Sequence, residues 1–287
     1  MRDAPGAGAA PPRSTGALPL DVQALFLAKN PRLARRLPPT AVRLLERLIH
    51  QRELQEFVGS TDGCTGCEFV DRALDFLDVR VTSSGDELLP RDGRAVFCAN
   101  HPTGGVDGLA MMHLLCRRYG TMRVPANDLL LALPPVGELL AAVDKYGSNR
   151  SRAASYEAMY ASDAPVLVFP AGRTARFRGG ELREFEWDKS FVKQARRHGR
   201  VIVPVHLSGR NSGRFYAIWR IRRALRIETN LEMLLLVDEL FRRRGQTVRV
   251  RIGPPVDPGP PRGPRTDRTI AGKIRRFVEG DLARGAR

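Results

Sequence analysis

Phe97-Cys98-Ala99-Asn100-His101-Pro102-Thr103-Gly104-Gly105-Val106-Asp107-Gly108 joins two apolar runs. The run before it, Ala95 to Ala99, has the length and composition of a buried strand, and the run after it, Leu109 to Leu115, those of a buried helix. Between them stand a histidine and an aspartate six positions apart. On one regular helix these would not share a face. Pro102, Gly104 and Gly105 make a turn instead, so the chain can fold back and bring the carboxylate to the imidazole. A histidine held by an aspartate has its tautomer fixed and its imidazolium stabilised, which is what a general base needs. The same residues also make a good strand-to-helix loop, and spacing alone leaves both readings open.

A second apolar run, Val166-Leu167-Val168-Phe169, ends in Pro170-Ala171-Gly172-Arg173-Thr174. This pattern sets backbone amides and a guanidinium at the carboxyl end of a strand, where α/β sheets commonly bind ligands. Arg173 also reads as an ordinary surface arginine. A third run, Val201 to Leu207, leads into Gly209, Asn211 and Ser212. His206 lies inside that run and reads as structural. Val79 to Thr82 and Thr247 to Gly253 alternate as half-exposed strands, and Met122 to Pro125 is a further short one. Helices are expected over 40–58, 69–77, 151–161, 190–197, 215–227, 231–243 and from Asp267 onward. Strands alternating with helices from about residue 79 to 253 predict a single α/β domain with a mixed central sheet flanked by helices, preceded by an N-terminal amphipathic helical segment.

Composition narrows the class. The chain has 287 residues, 43% of them hydrophobic, enough for one sizeable core. Its 47 Lys+Arg against 31 Asp+Glu give a net charge of +16. Such a field attracts anionic membrane, nucleic acid or phosphorylated substrates. Arginine far outnumbers lysine, which suits phosphate contacts; a GC-rich coding sequence produces the same bias. No stretch is apolar over the roughly 18 residues that a membrane span requires. Met1 to Leu18 is rich in Ala, Gly and Pro and reads as a disordered tail rather than a signal peptide. Leu20 to Ala28 and Thr40 to Val58 read as amphipathic helices that either lie on a membrane or pack on the core. Leu129 to Val143 is apolar but broken by Pro134-Pro135 and Gly137; it reads as a core helix or the lining of an apolar groove. Phe215 to Ile227 interleaves Phe215, Ile218, Trp219 and Leu225 with arginines, as an interfacial helix would. No helix-turn-helix, zinc-finger or RNA-recognition pattern accompanies those arginines, which counts against nucleic acid.

Four cysteines suggest a reducing compartment. Cys98 and Cys116 fall in apolar runs and read as small core residues. Cys64 and Cys67 form a lone C-x-x-C without a second pair, so the loop reads as glycine-rich with incidental thiols rather than as a metal site.

Asn100-His101 followed by Asp107 resembles the first signature of the glycerolipid acyltransferase superfamily, which includes the lysophosphatidic acid acyltransferases. The usual signature has four residues between His and Asp, and here there are five. The form His101-Pro102-x-Gly104-Gly105-x-Asp107-Gly108 is similar to a bacterial branch, the hemolysin-like acyltransferases related to lyso-ornithine lipid acyltransferases. Phe169-Pro170-Ala171-Gly172-Arg173-Thr174 resembles the block Phe-Pro-Glu-Gly-Thr-Arg, with Ala171 in place of Glu and the last two residues exchanged. Ala142-Val143-Asp144 with Asn149-Arg150 loosely resembles the second block, and Val203-Pro204-Val205 the fourth. The resemblance covers roughly Phe69 to Val256 and implies a division into a tail (1–18), a helical segment (19–68), the acyltransferase domain (69–257) and a Pro/Gly loop with a basic helix (258–287).

What it implies about activity is acyl transfer from acyl-CoA or acyl carrier protein to the hydroxyl of a lyso-lipid, with His101 and Asp107 catalytic. Asn100, Gly104, Gly105, Pro170, Gly172, Arg173, Thr174 and Asn211 would bind substrate, and amides at Gly104-Gly105 or Gly172 would stabilise the oxyanion. The exchanged Arg173 and Thr174 weaken the case for a lysophosphatidate acceptor. No metal and no bound cofactor is implied, and the expected place of action is the cytoplasmic face of the inner membrane, as a peripheral protein on an anionic surface. Two other readings stay open on the residues: a thioester hydrolase using the same base, and a non-catalytic basic module that binds membrane or nucleic acid.

Overall fold

A computed structural model describes residues 38–61, 63–125, 134–141, 149–178, 180–225, 232–260 and 264–285. In chain order these form α1 (Pro39–Leu48), α2 (Gln51–Ser60), α3 (Gly66–Phe76), β1 (Arg80–Ser84), β2 (Ala95–Ala99), α4 (Gly105–Tyr119), β3 (Val124–Pro125) and β4 (Leu140–Ala141). There follow α5 (Asn149–Ala161), β5 (Val166–Val168), β6 (Arg176–Arg178), β7 (Glu181–Arg183), α6 (Ser190–Arg197) and β8 (Val201–Leu207). The last elements are α7 (Gly213–Ala224), α8 (Glu232–Phe241), β9 (Thr247–Ile252) and α9 (Pro264–Phe277). The expected tail at 1–18, the helix at 20–28, the first part of Leu129 to Val143 and the block at Ala142-Val143-Asp144 lie outside the described residues.

The central sheet has five strands in the order β1-β9-β8-β2-β5. β5, β2 and β8 run parallel; β9 runs antiparallel to β8 and parallel to β1, so the sheet is mixed, as expected. The continuous apolar sequence of β2 has a structural cause. Ala95, Phe97 and Ala99 point into a core built with α3 and α4. Val96 and Cys98 point into a second core built with α5, α6 and α9. A strand buried on both faces needs apolar residues at every position rather than at alternate ones.

Four features depart from the sequence expectations. The helix expected over 40–58 is two helices, broken at His50, which takes a left-handed φ of 51°. Its ring stacks on Phe241 at 4.1 Å and reaches Glu53 and Asp238 at 3.1 and 3.3 Å. Tertiary partners outweigh the helical periodicity there, and Ile49 and Phe57 are buried in the core. The segment 134–141 is a 3-10 helix, Pro134–Leu139, and the two-residue strand β4 rather than a core α-helix, in keeping with Pro134-Pro135. A small antiparallel hairpin, β6–β7, stands where no strand was expected. Each of its strands has one apolar residue, Phe177 or Leu182, too few for a period to show. Finally, Cys67 is bonded to Cys116, joining the start of α3 to the end of α4. Cys64 and Cys98 remain as buried thiols. The C-x-x-C is thus divided between a bridge and a core residue, and a separation of 49 residues hides the pairing from local sequence. Because such bridges persist in oxidising surroundings, the cysteines do not argue for a reducing compartment.

Candidate active site

The three parallel strands β5, β2 and β8 end side by side, and the segments leaving them converge. Loops at the carboxyl ends of parallel strands are where open α/β sheets bind ligands. Gly104 takes φ +100°, and a Cβ there would lie 3.0 Å from Leu236 and 3.3 Å from Thr174. Only glycine fits this corner, and the corner brings Asp107 back towards His101.

Asp107 is fully buried. Its Oδ2 accepts the backbone N–H groups of Thr103 and Gly104 at 2.7 and 2.8 Å, and its Oδ1 accepts the Thr103 hydroxyl at 2.5 Å. The same Oδ2 lies 3.1 Å from His101 Nδ1. The approach is close but is not an aligned hydrogen bond. His101 is gripped on three further sides. Its ring stacks on Phe169 with centroids 4.2 Å apart. Its carbonyl accepts the Ala175 N–H at 3.0 Å. Its own N–H donates to Glu184 Oε1 at 3.1 Å.

Nothing in the sequence around Glu184 sets it apart from other glutamates. It is buried, and it also faces Trp187 Nε1 at 3.4 Å. Its backbone N–H donates to Glu279, and its carbonyl accepts from Arg275. Arg275 and Glu279 pair with each other at 2.9 Å. Arg275 near the end of α9 and Glu279 in the π-helical turn after it, Val278–Leu282, therefore clamp the segment that holds His101. Burial pushes the Glu184 carboxyl up to about 7, against the opposing effect of its hydrogen bond to His101. No local motif flags this residue, because its partner lies 83 positions away.

The other expected site residues divide into groups. Asn100 is committed: its amide donates to the Leu207 carbonyl at 3.0 Å and accepts the Leu207 N–H at 2.6 Å, tying β2 to β8. Two of the three amides expected to face an oxyanion are already bonded: Gly104 N–H donates to Asp107, and Gly172 N–H to the Phe169 carbonyl at 2.9 Å. Gly105 is exposed beside Leu240. Pro170 accepts the Asp188 N–H at 3.0 Å and Gly172 turns with φ +64°, so both shape the loop.

Arg173 is exposed and lies over the Phe185 ring at 4.7 Å. Thr174 is buried, with its carbonyl and hydroxyl both accepting from Arg176. The buried guanidinium at this loop belongs to Arg176, which stacks over Phe215 at 4.7 Å. Asn211 is buried with neither amide atom partnered among the described residues, although its N–H donates to the Tyr216 hydroxyl at 3.1 Å. A buried amide without partners is a group with bonds left to make. His206 is held neutral, pushed down to about 4 by burial and then by Arg251.

Two surfaces meet at this centre. One is apolar: Phe177, Leu182, Tyr216 and Leu236 belong to a small cluster that reaches Gly104. The other is a polar cavity of about 390 Å³ bounded by Asn100, Pro102, Ala175, Glu184 and His206.

The arrangement defines an α/β protein with a buried-Asp–His pair at the carboxyl ends of its parallel strands. Comparison with known proteins identifies the family. A sequence model of the family described as "Acyltransferase" matches residues 24–280. The chain is 36% identical over 239 residues to a lyso-glycine lipid O-acyltransferase of Phocaeicola vulgatus, covering 83% of this chain and 86% of the relative. It is 35% identical over 239 residues to the protein of the same name from Bacteroides thetaiotaomicron, covering 83% and 88%. A crystal structure of the 1-acyl-sn-glycerophosphate acyltransferase PlsC from Thermotoga maritima superposes with a TM-score of 0.45 at 17% identity, covering 94% of this chain and 96% of that one. The chain belongs to this acyltransferase family. It is therefore an enzyme, and the reading as a non-catalytic basic module is set aside.

Proposed function

We propose that this enzyme moves a fatty acyl group from acyl-CoA or acyl carrier protein to the hydroxyl of a lyso-lipid, using His101 as general base and Asp107 as its orienting partner. His101 takes the hydroxyl proton on Nε2, the nitrogen that does not face Asp107. The oxygen attacks the thioester carbonyl, the carbon–sulfur bond breaks, and the proton passes to the leaving thiolate. An ester and a free thiol result. Only a proton and an acyl group move, so the scheme calls for no metal and no bound cofactor.

The observation that carries the reading is the grip on His101: Asp107 on Nδ1, Phe169 on the ring and Glu184 on the backbone. Pre-oriented bases lower the barrier because little reorganisation remains to be done. The acceptor is a lyso-lipid of the kind named for the relatives, a lyso-glycine lipid or a near analogue such as a lyso-ornithine lipid. Asn211 is the substrate contact best supported by its surroundings, since its amide is buried and makes no hydrogen bond among the described residues.

Action is at an anionic membrane surface, on the face where the acyl donor is supplied. Among the described residues no helix is long and apolar enough to cross a membrane. Among the described residues Ile221 and Leu225 are the exposed large apolar ones, on and just past the arginine-rich α7. That pairing suits apolar insertion beside anionic headgroups. The test is mass-spectrometric detection of a new ester when purified protein meets long-chain acyl-CoA and a panel of lyso-lipids. An ester formed with a lyso-amino-acid lipid is expected. Thiol release without any ester would instead mean hydrolysis.

A further inference from the structure

A general base becomes a cation when it takes its proton, so the acids around it decide how readily it does so. Two acids face His101. Asp107 lies against Nδ1, but both of its oxygens already accept donors of the turn. Glu184 is the second. It is 4% exposed, its Oε1 accepts the His101 backbone N–H, and its Oε2 accepts Trp187 Nε1–H at 3.4 Å. Among the described residues no lysine or arginine pairs with its carboxyl; Arg275 reaches its backbone carbonyl instead.

The residue is also held from outside the loop. Its N–H donates to Glu279 at 3.1 Å, and its carbonyl accepts from Arg275 at 3.0 Å. The Arg275–Glu279 ion pair closes this ring, so one pair fixes both backbone atoms of Glu184. The Glu184 carboxyl in turn fixes the backbone of His101. A carboxyl buried without a cation is costly to ionise. A glutamine would accept the same N–H without that cost, so the presence of an acid points to a use for its charge.

We propose that Glu184 is a positioning residue for acyl transfer: its hydrogen bond sets the His101 loop, and its negative charge supports the imidazolium that forms during the reaction. The proposal rests on the acyl-transfer reading and adds a second carboxylate to it.

Burial first of all keeps the carboxyl protonated up to about 7. Its charge is therefore absent well below that pH and present well above it, and glutamine imitates the protonated form. Ester formation is compared for wild type, Glu184→Gln and Glu184→Ala from about pH 6 to about pH 8.5. Wild type and Glu184→Gln should agree within about threefold at the acid end, and the wild type should lead by about threefold to tenfold more at the alkaline end. Glu184→Ala should lose about tenfold or more in kcat throughout, with KM for acyl-CoA changed by less than about threefold. A glutamate that only braced the loop would give a ratio of wild type to Glu184→Gln that is the same at every pH. That result overturns the proposal, as does a Glu184→Ala variant as fast as wild type. Should Glu184→Ala fail to fold, the pH dependence of the Glu184→Gln ratio decides alone. His101→Ala in the same assay separates the two levels. If it is inactive and the Glu184→Gln ratio is flat, the role of Glu184 falls and the acyl-transfer reading stands. If it forms ester as fast as wild type, or wild type forms none, that reading falls and the proposal with it.

Discussion

At His101 the proposed chemistry depends on how few ways the ring can turn. The backbone N–H and carbonyl are both bonded, one ring face is covered, and Nδ1 faces a carboxylate that is itself fixed by three donors. The His–Asp pair was legible in the sequence because proline and glycines lie between the two residues. Glu184 was not, because nothing local distinguishes a carboxylate that will be buried from one that will be solvated. Its burial makes a testable statement about pH. An unfolded glutamate titrates near 4.5, and the folded group titrates near 7. Between those values the folded state holds a proton that the unfolded state has lost. Stability should therefore fall as pH rises from about 4.5 to 7 and level off above it. Glu184→Gln keeps an acceptor for the His101 N–H and removes this slope. Chemical denaturation of both proteins across that range checks it, and parallel pH profiles would count against the assigned burial.

Among the elements, the long strands were readable and the short ones were not. β8 and α6 begin and end where their apolar and charged patterns do. The hairpin β6–β7 and the break at His50 come from tertiary contacts that no window of sequence contains. The Cys67–Cys116 bridge is of the same kind. It fixes α3 against the far end of α4, the helix that carries Asp107. Replacing both cysteines with serine should lower stability by about 2–4 kcal/mol. Thermal unfolding of the double variant measures this, and a thiol count of two rather than four in the denatured, unreduced wild type is expected from the same bridge.

For the whole molecule, the α/β class could be read from alternating elements, but the strand order could not. β9, late in the chain, enters between β1 and β8, so distant segments complete the sheet. In the same way Arg275 of α9 and Glu279 just beyond it support the segment that holds His101. The basic surface is a property of this scale too. With a net charge of +16, binding to vesicles rich in anionic lipid should exceed binding to neutral vesicles and weaken as salt is added. Ile221→Ser combined with Leu225→Ser should leave the salt dependence in place and reduce binding by about tenfold, as expected for removing two exposed apolar anchors. Vesicle sedimentation measures both effects.

The central claim is that His101 is the base for acyl transfer. Free-thiol release from long-chain acyl-CoA, with and without a lyso-lipid acceptor, tests it on the wild type and on His101→Ala. The account predicts acceptor-dependent release by the wild type and a loss of about a hundredfold to ten-thousandfold in the variant, with vesicle binding retained. Acceptor-dependent release that persists in His101→Ala would contradict it.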